Sequence, residues 1–271
     1  MRHGRRVRLV GVGVAAAAVV GLVVASSASA VTPPRTVALH VTVNGSGTVR
    51  VPGHPAFVCR ASFPTSAHCR RTFQVRKGRR IVIRESPASG WKLLSWTGAC
   101  HGAAASCSLR VKARRFGFVT ASFLAPGDRL NPYPLGTAVQ LGQGWKVKVN
   151  SAIINADAQV EAVNGNVPPP AGAQYSLVNL SLTYTSGGSG DLGLFAQSYL
   201  ATEGAGNAGY AADWQCATPA PDLGLVGQVF SGQTETGNLC FLIASNDART
   251  LLLNGPPTAD EAQVPIWFAL R

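Results

Sequence analysis

The chain has 271 residues, six cysteines and a formal net charge of +12. Residues 31–125 carry fifteen Lys and Arg against one acid, Glu85, for a net of +14; residues 126–271 carry five against eleven, for a net of −6. A lone acid excludes a catalytic carboxylate pair from the basic part, and the split predicts two modules with different surroundings.

The first element is an export signal. Arg2, Arg5, Arg6 and Arg8 precede an apolar run over residues 9–25, and Ala28-Ser29-Ala30 follows. Small side chains at positions 28 and 30 suit the narrow pocket of signal peptidase, which predicts a signal peptide over 1–30 cleaved after Ala30. The alternative is an uncleaved anchor, because seventeen apolar residues approach the length a bilayer requires. The expected location is secreted, extracellular or associated with the cell wall.

Export sets the reading of Cys59, Cys69, Cys100, Cys107, Cys216 and Cys240. An even count in an oxidising compartment predicts disulfides, and six cysteines allow fifteen pairings. Proximity along the chain favours Cys59–Cys69, Cys100–Cys107 and Cys216–Cys240. Structural zinc builds on Cys-x₂₋₄-Cys knuckles, of which the chain has none, so neither metal nor cofactor is expected.

The basic module, 31–125, reads as all strand. In "VALHVTVNGSGTVRV", Leu39, Val41 and Val43 alternate, Asn44-Gly45 breaks the run, and Val49 and Val51 resume it, a hairpin signature. "RRIVIRE" sets Ile81 and Ile83 against Arg80, Val82 and Arg84, and "FGFVTASF" reads as a closing strand. Trp91 and Trp96 lie five apart and face opposite sides of a simple strand, so one is expected to fill the core. His101 is expected as an exposed turn residue.

The order "VTVNGSGTV", a cysteine pair, "FQVRKGRRIVI", "SPASGWKLLSWTGAC", a further cysteine and "VTASF" resembles the divergent internalin-B-type bacterial repeat. The resemblance covers residues 37–123 and rests on Pro87, Gly90, Trp91, Trp96, Gly98, Cys100 and Cys107. It implies a small β-rich, β-grasp-like surface spacer or binding module without an active site. The arginine load departs from that pattern. Arg70, Arg71, Arg76, Lys77, Arg79, Arg80, Arg84, Arg110, Lys112, Arg114 and Arg115 crowd two short stretches, and strand alternation projects many of them onto one sheet face or its turns. Guanidinium suits bidentate binding of phosphate, so the expected partner is an anionic envelope polymer or surface; a solvated, self-repelling face is the alternative. Specific nucleic-acid recognition is not expected, because no reader motif or aromatic platform is present.

Prolines and glycines in "LAPGDRLNPYPLG" predict a linker over 126–136. Beyond it, "GWKVKVN" sets Trp145, Val147 and Val149 against Lys146, Lys148 and Asn150, and "VNLSLTYT" sets Val178, Leu180, Leu182 and Tyr184 against polar neighbours. With "LFAQSYL", "GNLCFLIA", "TLLLN" and "PIWFAL", six to eight strands predict a β-sandwich over 137–271. "LGQGWKVKV", "PPPAGAQYSLVNLSLTY", "CATPAPDL" and "GQTETGNLCFLI" resemble the immunoglobulin-like domains of secreted actinobacterial immunoprotective antigens, which implies the same fold and export. The chain has no Gly-x-Ser-x-Gly elbow and no histidine beyond His101, and the segment holding Asp157 and Glu161 is cut short by Gly and Pro. No catalytic residue is therefore assigned. The expected protein is an all-β, secreted, non-catalytic binder whose basic module attracts a polyanion and whose second module binds or presents an unidentified protein partner. The rivals are an exported enzyme or enzyme inhibitor with its site in the second module, and a passive spacer.

Overall fold

Alternation along Thr36–Asn44 (β1) buries Leu39, Val41 and Val43 on one face of the opening strand. The computed structural model describes residues 36–61, 67–112, 117–213, 216–257 and 264–271. The expected signal peptide, its cleavage site at Ala30, and Arg114 and Arg115 lie outside the described residues.

The basic part continues with β2 (Gly47–Arg50), β3 (Phe57–Cys59), β4 (His68–Arg76), β5 (Arg80–Pro87), β6 (Lys92–Gly98), β7 (Ser106–Arg110) and β8 (Gly117–Leu124). They form two four-stranded sheets, ordered β4-β1-β8-β6 and β3-β2-β5-β7. One core lies between them: Val41, Phe73, Trp96, Val119 and Phe123 from the first sheet meet Val49, Phe57 and Ile83 from the second. No helix occurs among the described residues of this part.

The hairpin expected at Asn44-Gly45 is not formed. β1 pairs with β4 and β8 while β2 pairs with β3 and β5, so the turn carries the chain from one sheet to the other. The reason is local packing. Gly45 has φ +88°, and a Cβ there would lie 2.7 Å from both the Phe123 carbonyl oxygen and the Trp91 ring. Glycine lets the chain turn a corner against these groups where any other residue would push them away.

The second part has β9 (Ala138–Gln140), β10 (Trp145–Ile153), β11 (Ala173–Tyr184), β12 (Ser189–Asp191), β13 (Ala201–Glu203), β14 (Gly209–Ala211), β15 (Gln228–Phe230), β16 (Thr234–Ala244), β17 (Leu252–Gly255) and β18 (Ile266–Ala269). Sheets β16-β11-β10-β9 and β14-β13-β17-β18 enclose the main core, and β12 and β15 form a small ribbon. The expected alternation holds: Trp145, Val147 and Val149 and then Val178, Leu180 and Leu182 are buried. The chain is all-β in class.

Among the described residues two α-helices interrupt the strands. "LFAQSYL", expected as a strand, lies in α2 (Leu192–Tyr199). The Asp191 side chain accepts the Leu194 N–H and caps the helix, and Leu192, Phe195 and Ala196 at i, i+3 and i+4 form its buried face. Phe195 stacks on Trp145 with centroids 5.2 Å apart, which draws the segment into the core as a helix. The one-turn α1 (Asp157–Glu161) spans both acids of its segment.

The segment 126–136, expected as a linker, is hydrogen-bonded on both sides. Asn131 Nδ2 donates to the carbonyls of Gly90 (2.8 Å), Ala125 (3.1 Å) and Leu124 (3.3 Å). On the other side, the Tyr133 N–H donates to the Trp267 carbonyl and the Tyr133 carbonyl accepts the Ala269 N–H, so the segment runs as a parallel bridge beside β18. Arg129 pins the same stretch. It pairs with Glu203 at 2.5 Å, donates to Asn207 Oδ1 (2.7 Å) and the Gly204 carbonyl (2.5 Å), and lies 5.0 Å from the Trp267 ring centroid.

Candidate functional site

The outer face of the β3-β2-β5-β7 sheet gathers arginine. Residues directly opposite in antiparallel strands project to the same side with Cβ atoms about 4.5–5.5 Å apart. Arg80 on β5 stands opposite Arg110 on β7, and Arg84 on β5 stands opposite Arg50 on β2. All four are exposed. Like charges directly opposite destabilise a sheet, so this arrangement costs stability.

The described residues supply no counter-charge. Their one ion pair is Arg129–Glu203, in the other part of the chain. Glu85, the acid nearest in sequence, sits half-buried on the inward side of β5, where its Oε2 atom is buried without a hydrogen-bond partner. Burial raises its pKa above the ordinary carboxylate value.

Each arginine pair borders a shallow depression. Arg80 and Arg110, with Gly78 and Ser108, line one of about 510 Å³, in which Arg80 Nε donates to Ser108 Oγ at 2.6 Å. Arg50 and Arg84, with His54 and Val82, line a second of about 260 Å³. Four residue steps along the strand lead from Arg80 to Arg84, which places the pairs roughly 13 Å apart along β5.

The structure divides the basic residues singled out by sequence. Arg80, Arg84 and Arg110 share the face just described, and Lys77 and Arg79 flank Gly78 in the turn that leads to it. Lys112 follows β7 and is exposed. Arg70 and Arg76 project from the outer face of the other sheet, opposite Thr42 and Thr36. Arg71 lies 5.4 Å from the Phe73 ring centroid, covering the core edge. These three sit on the edge strand β4, where charge also deters strand addition. Arg50 was missed by sequence reading, although the alternation Val49-Arg50-Val51 marks it as outward.

The six cysteines form Cys59–Cys69, Cys100–Cys107 and Cys216–Cys240, with Cα separations of 5.7, 5.8 and 6.2 Å. Trp96 is buried, and its Nε1–H donates to the Ala104 carbonyl inside the Cys100–Cys107 loop. Trp91 is half-buried over Gly45, just before β6, and His101 is exposed. His40 accepts or donates at Thr72 Oγ1 (2.9 Å) and stacks on Phe118; His54 Nε2 meets the Gln74 carbonyl (3.0 Å). Among the described residues no three His, Cys, Asp or Glu side chains converge as metal ligands.

In the second part, Asp157 Oδ1 accepts the Tyr175 N–H at 2.7 Å, fastening α1 to β11. A depression of about 210 Å³ beside Cys216–Cys240 includes Asp213, Asp222 and Gln197. Burial raises the pKa of Asp222, whose Oδ1 accepts the Gly224 N–H. Ligand sites of drug size run from about 300 to 1,000 Å³, so this one is small for a substrate.

No family model and no curated protein matches the chain. Two solved structures are similar in part. One is a conserved hypothetical protein from Bacillus anthracis, 13% identical with a TM-score of 0.35, covering 49% of this chain and 94% of that one. The other is an uncharacterized β-sandwich protein from Clostridium difficile 630, 8% identical with a TM-score of 0.29, covering 52% of this chain and 95% of that one.

Proposed function

We propose that the protein is an exported, non-catalytic binder that holds an anionic polymer of a cell envelope or host surface on the arginine face of its basic part. The observation that carries this reading is the two like-charged cross-strand register pairs, Arg80 opposite Arg110 and Arg50 opposite Arg84, with no ion pair to any described carboxylate. Guanidinium pairs of this kind suit bidentate hydrogen bonding to phosphate oxygens, and a depression beside each pair gives such a group a seat. Three disulfides fit an oxidising location outside the cytoplasm, as does the signal-like start of the sequence. On the internalin-B-type resemblance the basic part is a surface module, and the second part presents or binds a protein partner.

The test is capture of the full chain on cell-wall material and on anionic vesicles across a salt series. Binding should weaken steeply as salt rises, because each phosphate contact releases counterions. A variant carrying R50Q, R80Q, R84Q and R110Q should lose most capture and flatten the salt dependence. Capture that ignores salt, or survives the quadruple variant, refutes the proposal and leaves the passive spacer.

A further inference from the structure

A cleft of about 580 Å³ opens at the pole of the basic sandwich where β1 and β8 begin and β6 and β7 end. Its walls are apolar: Val37 and Leu39 from β1, Val75 from β4, Leu109 and Val111 from β7 and just beyond. Its lining also includes Arg110 and Lys112, both exposed, and among the described residues no carboxylate. The volume lies within the range of about 300–1,000 Å³ typical of small-molecule sites, and an apolar cavity with few polar groups is their usual composition. Arg110 and Ser108 border both this cleft and the depression on the arginine face, so the cleft opens beside that positive surface.

We propose that the cleft binds the acyl chain of a single-chain anionic amphiphile, with the carboxylate or phosphate head held by Arg110 and Lys112. The apolar walls account for the chain and the two cations for the head. An uncharged lipid leaves the cations without a partner, and a short anion leaves the apolar walls wet. The cleft shares Arg110 with the arginine face, but the assay below contains no polymer, so either proposal can fail while the other stands.

The experiment is calorimetric titration of the full chain with octanoate, decanoate and dodecanoate below their micelle concentrations. Dodecyl phosphate and dodecanol run alongside. Saturable binding of one alkanoate per chain is expected, tightening roughly four-fold per added methylene. Dodecanol should bind at least about ten-fold more weakly than dodecanoate, and the stronger of the two anionic arms identifies the head group. Ala99 is an exposed residue of the lining, so A99W should fill the cleft and reduce dodecanoate affinity about ten-fold or more. The surface variant R110Q/K112Q should bring dodecanoate down to the dodecanol level and leave dodecanol unchanged, which tests the site even where A99W fails to fold. Absence of saturable binding, affinity indifferent to chain length, or dodecanoate binding unaltered by R110Q/K112Q overturns the proposal.

Discussion

Replacing Arg129 by alanine should destabilise the protein by about 2–4 kcal/mol. The Arg129 and Glu203 side chains are 32% and 19% exposed, so solvent screens their pairing and it contributes under about 1 kcal/mol. The two further hydrogen bonds, to Asn207 Oδ1 and the Gly204 carbonyl, come from a charged donor and are worth roughly 1.5–3 kcal/mol each at most. Contact with the Trp267 face adds about 0.5–1 kcal/mol. All these contacts share one side chain and are not additive, which holds the total below their sum. Urea denaturation of wild type, R129A and R129K measures the effect as a shift in midpoint at unchanged slope. Lysine keeps the charge but loses the fork, so R129K should recover less than half the loss. A cycle with E203Q should show a coupling under about 1 kcal/mol. If R129A lies within about 0.5 kcal/mol of wild type, Arg129 does not hold segment 126–136 and the reasoning fails.

Glu85→Gln should raise thermal stability at pH 7, because the folded state holds a carboxylate whose charge is disfavoured by burial. The folded pKa lies above the unfolded one, so the penalty is full above the folded pKa and disappears as pH falls below 4.5; calorimetry at pH 7 and pH 4 should show the gap closing on acidification, and a widening gap contradicts the assignment. Thr202 is fully buried and its hydroxyl has no partner. Thr202→Val should therefore stabilise by about 1 kcal/mol, whereas Thr202→Ala should not, as read from chemical denaturation. Gly98 has φ +87°, and a Cβ there would sit 2.3 Å from the Phe118 carbonyl oxygen, so Gly98→Ala should cost at least about 2 kcal/mol. Gly102 has φ +92°, and a Cβ there would meet nothing within 4 Å, so Gly102→Ala should cost only about 1 kcal/mol; equal losses refute the close-approach argument.

Strand periodicity was legible wherever one face is buried and the other wet, as in Trp145–Val149 and Val178–Leu182, because alternation reports burial locally. The cysteine pairing was legible because each partner is near in sequence. The distribution of arginines was only half legible. Alternation tells which side of its own strand Arg70 or Arg84 occupies, but not that β4 and β5 belong to different sheets, and that assignment places them on opposite outer faces. The same non-local pairing turned the Asn44-Gly45 hairpin signal into a corner between sheets. Phe195 and its neighbours read as strand because a short apolar run carries no decisive period, and the Trp145 stack together with the Asp191 cap settled it as helix. Arg129 was invisible among turn-forming residues, because its partners Asn207 and Gly204 lie 78 and 75 positions away, and so was the reach of Asn131 to Gly90, 41 positions back.

The parallel pairing of β1 with β8, from Leu39↔Gly117 to Asn44↔Ser122, bears on how the molecule carries load. β8 leads into the segment stitched to β18, so a pull between the start of β1 and the second part of the chain draws these two strands past each other lengthwise. Every rung of the ladder then takes tension together, where a hairpin would open one rung at a time. The basic part is thus braced against extension along β1 and β8.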